Sequence, residues 1–360
     1  MRMLKIASLW LVLMLGASAR HADAQPVERL FEASGPGVHM RAQPSVLANR
    51  AAEIPLKTTF ALVARTPDSS WVALRGTGNA IAGWVPVGLG QVQGDIGSLP
   101  VQPRPQLSAP ASTTSSKRPA WIKPTEHGRQ LFAQAIAAGR DGRVFTIAGD
   151  SNSAWQHNLG TIVSGRRNFS ADRVLGPIVA RFDPSFAWVS VAVGGGFRAA
   201  DMFLPENAPS ICRPAEPMFP CELRRSNASV VFIQLGTGDK FVWQDFETNT
   251  RKMIDHALAH HVLPVLVTKA DDLESIHGGA PINFVNDTLR RLAAEYKLPL
   301  IDFYVGTRSL PIVPNPELPK RPFTQNGLHD EWGLYFHLTD EAFDLRLRST
   351  LLMLAALTGG

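Results

Sequence analysis

Five short apolar runs, bounded by Gly, Pro, Asp or Ser and mostly separated by stretches with helical spacing, constrain this chain more than any other feature. They cover residues 144–148, 188–193, 230–235, 263–268 and 298–303. A strand that is apolar on both sides has to be covered on both faces, as in a parallel sheet flanked by helices. Residues 251–261 and 284–296 carry apolar side chains three and four apart, and residues 128–138 form an amphipathic stretch before the first run. The pattern predicts a doubly wound parallel α/β sandwich over residues 125–360. Any site should lie at the carboxyl ends of its strands.

The chain of 360 residues has room for more than that domain. Residues 102–124 contain Pro103, Pro105, Pro110, Pro119 and Pro124 among Ser and Thr, the composition of an extended, semi-stiff linker. Before it, residues 27–101 read as short strands at 38–41, 59–65, 71–75 and 82–87, which predicts a small closed all-β barrel. The run from Val38 through Arg41 to Pro44, then Trp71 and Gly83-Trp84-Val85, resembles the bacterial SH3-like module of envelope proteins. That resemblance implies wall-peptide contact or tethering. Core packing is the plainer reading for at least one of the two tryptophans.

Residues 1–24 read as an export signal: Arg2 and Lys5, an apolar run at 6–15, and Ala22-Asp23-Ala24 as the cleavage pattern. The expected location is periplasmic or secreted, with no membrane span left after cleavage. Removal takes three cations and one anion, lowering the formal charge from +5 to +3. A balance this small and scattered does not suggest nucleic-acid binding. The two cysteines, Cys212 and Cys221, lack the companions zinc would need, and in an exported protein they are expected to form a disulfide.

The first apolar run ends in Gly149-Asp150-Ser151-Asn152-Ser153. A serine just past a strand, after a glycine and before a helix, gains exposure and nearby backbone N–H donors. The second run enters Gly194-Gly195-Gly196, the third ends in Gly236-Thr237-Gly238-Asp239, and His337-Leu338-Thr339 precedes a last helix from about residue 341. These four blocks, in order over residues 125–360, resemble the SGNH (GDSL) hydrolase family. The segment carrying Cys212 and Cys221 is similar to its exported group with an SH3-like unit in front. The resemblance implies Ser151 as nucleophile, His337 as base, and the N–H groups of Ser151 and Gly195 as oxyanion donors, with Gly194 and Gly196 as alternatives to Gly195. Serine, histidine and amides suffice for acyl transfer, so no cofactor or metal is called for.

Two positions depart from the family. Gly238 stands where an asparagine side chain would complete the oxyanion site; Asn152 is the candidate substitute, and a turn with positive φ is the plain reading of Gly238. Leu334 stands where the acid before the histidine is expected, which leaves Asp330, reached across a short insertion, or a dyad without an acid. The sequence thus points to an exported serine esterase acting on a small-molecule or polysaccharide ester, with O-acetyl groups of envelope or extracellular polysaccharide as the analogy-based substrate. The competing reading is a weak or inactive glycan-binding scaffold. Plainer readings apply elsewhere: His157 as a surface group, His260 and His261 as helix-end cations, and Lys269, Asp271 and Asp272 as solvated loop charges.

Overall fold

The computed structural model describes residues 28–35, 37–109, 115–272, 274, 279–310, 328–329 and 337–359. The export signal, Asp330 and Leu334 lie outside the described residues.

The N-terminal unit is all-β and antiparallel. Its strands β1 (Leu30–Ala33), β2 (His39–Arg41), β3 (Arg50–Glu53), β4 (Thr59–Arg65), β5 (Trp71–Arg75), β6 (Ile81–Pro86) and β7 (Gly90–Gln93) pair in the order β3-β2-β6-β5-β4-β1-β7. Phe31, Ile54, Val72, Leu74 and Val85 fill its own core. Trp71 and Trp84 are buried as well, in the larger core shared with the second unit.

The second unit is a mixed α/β layer structure. Strands β9 (Asp141–Gly149), β10 (Ala228–Gln234), β11 (Leu263–Val267) and β12 (Leu300–Ile301) are parallel neighbours in that order, and β8 (Ile122–Lys123) joins β12 antiparallel. Every residue of β10 and β11 is buried. Helices α1 (Glu126–Ala137), α2 (Leu175–Arg181), α3 (Met218–Ser226), α4 (Phe246–Ala259), α5 (Phe284–Glu295) and α6 (Asp340–Thr358) cover the sheet. One layer contains α1, α2 and α6; the other contains α3, α4 and α5.

The apolar run at 188–193 does not form the strand expected of it. A single parallel bridge, Gly149 to Val193, places it on the outer side of β9. Side chains replace the ladder there. The Ser190 hydroxyl donates to Ile147 O at 2.8 Å, the Val191 N–H donates to the buried Glu222 carboxylate at 2.8 Å, and the Trp188 indole N–H donates to the same carboxylate at 2.7 Å. Chain segments on the two sides of β9 therefore come from opposite winding directions, which makes the carboxyl end of β9 the point where the winding reverses.

The two units are joined by buried polar contacts. The Arg41 guanidinium donates to Val46 O and Ala48 O in its own unit and to Val163 O across the junction at 2.7 Å. The Val46 N–H donates to Asp183 at 2.7 Å. Residues within the proline-rich segment are attached too: Arg104 pairs with Asp68, and the Ser116 N–H donates to Asp172. Cys212 and Cys221 form the expected disulfide.

Candidate active site at the end of strand β9

Strand β9 delivers the chain into a turn that only glycine permits at its first position. A Cβ on Gly149 would stand 2.3 Å from the Ser153 hydroxyl oxygen. Asp150 then caps a short 3-10 turn over Ser151–Ser153, accepting the Asn152 N–H at 2.9 Å through one carboxylate oxygen. Its other oxygen faces the Thr237 N–H at 3.4 Å. The turn is fastened to β10 where the Ser153 hydroxyl donates to Gln234 at 2.9 Å. Ser151 is left half-exposed while Asn152 and Ser153 are buried.

No long helix follows the serine, contrary to expectation. Two 3-10 turns and the four-residue helix Gly160–Val163 take its place, so the N–H donors near Ser151 are those of a turn rather than of a helix end. The triple glycine lies beside the turn through two bonds: the Gly149 N–H donates to Ala192 O at 2.9 Å and the Gly194 N–H to Gly149 O at 3.2 Å. Gly194 is thereby engaged. Gly195 is exposed, with open space where a side chain would begin.

His337 lies in strand β14 (His337–Leu338), opposite β13 (Leu328–His329). This strand packs against the Ser151–Ser153 turn. The contact is specific: the Leu338 N–H donates to the Asn152 side-chain oxygen at 3.0 Å. The residue after Ser151 thus holds the residue after His337. Thr339 caps α6, and from the second turn of that helix the buried Arg346 donates to Asn152 O at 3.0 Å. Asn152 accepts bonds from two further segments on its side-chain and backbone oxygens.

Gly238 has an ordinary right-handed conformation, φ −76° and ψ −31°, so positive φ does not account for it. The reason is close approach. A Cβ there would stand 2.9 Å from Gly196 O and 3.1 Å from the Arg198 side chain. The positive φ of this loop belongs to Gly236, at 135°. Next to Gly238, Asp239 is buried and accepts the Ala199 N–H at 2.8 Å through one oxygen; its other oxygen has no partner among the described residues. Burial, with the Asp150 and Asp201 carboxylates adding to it, pushes the Asp239 carboxyl up to about 7, against the opposing bond from Ala199.

Lys269 and Asp271 are not solvated loop charges. They are 4% and 8% exposed and form an ion pair at 2.6 Å, with Glu274 at 3.3 Å from the same ammonium. The neighbouring Lys240 is buried and brought down to about 8 by desolvation. Asp272 accepts the Tyr304 hydroxyl at 2.7 Å. His157 is exposed and stacked on Phe343, and His260 bonds back to His256 O. Cys212, Glu216 and Cys221 place three potential ligand atoms together, but both sulfurs are spent in the disulfide.

Sequence reasoning missed Arg346, Gln234 and Asp239. Gln234 closes a strand that is apolar apart from Ser229, and a polar residue at the end of such a run was the available signal; Arg346 stands among Asp344, Arg348 and Ser349 in its helix, so nothing in the sequence singles it out. Asp239 stood in the third motif block without a role.

No family model matches the chain, and no curated protein matches it. Among solved structures it is similar to a GDSL-like lipase from Bacteroides thetaiotaomicron, at 13% identity over 63% of this chain and 96% of that one, with a TM-score of 0.39. It is also similar to an acetylxylan esterase from Geobacillus stearothermophilus, at 12% identity over 60% and 94%, TM-score 0.37. A psychrotrophic esterase from Pseudoalteromonas is similar at 11% identity over 61% and 100%, TM-score 0.37.

Proposed function

We propose that this chain is an exported serine esterase that acts through an acyl-Ser151 intermediate. The observation that carries the reading is the bond from the Leu338 N–H to the Asn152 side chain, which sets the His337 strand against the Ser151 turn. His337 takes the hydroxyl proton as Ser151 Oγ bonds to the ester carbon. The tetrahedral oxygen is held by the N–H groups of Ser151 and Gly195. Collapse breaks the bond to the alcohol, which leaves with the proton from His337, and water then releases the acid by the same route in reverse.

Asp330 is the proposed orienting acid. The substrate class is an ester of small molecules or of polysaccharide, with O-acetylated envelope or extracellular glycan as the preferred source, and the N-terminal unit as an SH3-like module toward the wall. Gly238 and Leu334, each standing where the family carries a site residue, favour one competing reading, a weak or inactive glycan-binding protein. Loss of one oxyanion donor ordinarily lowers turnover by about 10² to 10³.

Hydrolysis of p-nitrophenyl acetate separates the two. The expected result is slow turnover by the parent that falls to the buffer rate in Ser151→Ala and His337→Ala. Equal traces in all three proteins favour the binder.

A further inference from the structure

A cavity of about 120 Å³ lies against β9, with Ser153 and Gly194 among its lining residues. Ile147, Trp155, Leu159, Trp188 and Val189 are among its walls, and no charged side chain lines it. Two of its lining residues adjoin the proposed reacting groups in the chain: Ser153 belongs to the Ser151 turn, and Gly194 directly precedes Gly195.

Two of its walls are braced by the N-terminal unit. The Trp155 ring is caught between glycines: a Cβ on Gly160 would stand 2.8 Å from the ring, and a Cβ on Gly88 would stand 2.9 Å from it. The same Cβ on Gly88 would stand 3.0 Å from a Val189 methyl. The Trp155 indole N–H is tied to Phe186 O at 2.8 Å, so the ring cannot easily turn aside. A cavity of about 150 Å³ accommodates benzene, so this one suits a chain of about four or five carbons.

We propose that the cavity receives the acyl chain of the substrate, restricts it to short uncharged acyl groups, and owes that limit to Gly88 of the N-terminal unit. The inference rests on the esterase reading, and its test separates the two. The full chain, Val189→Phe and Gly88→Ala are compared on p-nitrophenyl acetate, butyrate and octanoate. The parent should favour butyrate over octanoate at least tenfold in kcat/KM. Val189→Phe should lower the butyrate-to-acetate ratio about tenfold, with Gly88→Ala in the same direction. Octanoate used as well as butyrate, or a ratio changed less than twofold by Val189→Phe, overturns the proposal.

A second readout does not require turnover. In Ser151→Ala, ethyl butyrate should change tryptophan fluorescence saturably, and addition of Val189→Phe should suppress the change. If the parent hydrolyses nothing but this binding behaves as expected, the cavity assignment stands and the esterase reading falls. If neither is seen, both are overturned.

Discussion

At the scale of single residues, the loops around the Ser151 turn hold carboxylates that carry different burdens. Asp150 accepts two backbone N–H groups, whereas Asp239 accepts one and keeps its second oxygen buried without a partner among the described residues. Desolvation is the largest cause of the rise of Asp239 to about 7. In the unfolded chain the same group ionises near the ordinary aspartate value of about 3.9. The folded chain therefore retains a proton that the unfolded chain has lost between about pH 4 and 7. The stability contributed is full below pH 4 and declines as pH rises through 7, by up to about 1.4 kcal/mol per pH unit for one group. Urea midpoints of the parent should decline across that window, and Asp239→Asn, which keeps an oxygen for the Ala199 N–H, should flatten the decline. An equal slope in both proteins contradicts the assignment. Gly238 gives a second lesson at this scale. Its identity was legible but its reason was not, because the Gly196 carbonyl that excludes a Cβ comes from a loop some forty residues away in sequence.

At the scale of elements, a strand, a turn, a short hairpin strand and a helix are assembled around one amide side chain. Asn152 accepts the Leu338 N–H on its side chain and the Arg346 guanidinium on its carbonyl. Arg346 is buried, lies 4.7 Å over the Phe303 ring and is attracted to Asp150, while burial brings it down to about 10. A buried hydrogen bond made by a charged group typically contributes about 1.5 to 3 kcal/mol. Arg346→Met should lower unfolding stability by that order and reduce kcat more than it alters KM, because it releases the Ser151 turn rather than a substrate contact. Arg346→Lys keeps the charge and should recover part of both. Equal loss from Lys and Met, with KM carrying the change, contradicts a positioning role.

The elements also show why some of the fold could be read in advance. Strands β10 and β11 are buried throughout, and such segments announce themselves by unbroken apolar runs. The run at 188–193 looked the same and is not a strand, because Ser190 and the buried Glu222 take the backbone partners that a ladder would have used. A buried carboxylate on α3 has no signature in the run that it reshapes. Lys269 and Asp271 were misread for a related reason, since their burial depends on Glu274 and on packing at the sheet end.

At the scale of the whole molecule, composition marked a boundary where the structure has a junction. The proline-rich segment separates an antiparallel unit from a parallel one, yet Arg41, Val46, Gly88 and Arg104 bind the two together. Trp71 and Trp84, legible as landmarks, are buried in the shared core and present no aromatic surface to a wall peptide. Three of the four motif blocks were readable because each stands at a strand end or a helix start; the glycine block follows a run that makes a single bridge. Their meeting in space depends on a parallel winding that brings residues near 151 and 337 to one edge.

The central claim is that the Ser151 hydroxyl is the nucleophile, and covalent labelling tests it most directly. The full chain is treated with an organophosphate such as diethyl p-nitrophenyl phosphate, and the adduct is located by peptide mass spectrometry. One diethylphosphoryl group on Ser151, with matching loss of ester hydrolysis and much slower labelling in His337→Ala, is the predicted result. Hydrolysis that survives while Ser151 is fully labelled, or an adduct on another residue that accounts for the inhibition, contradicts the account.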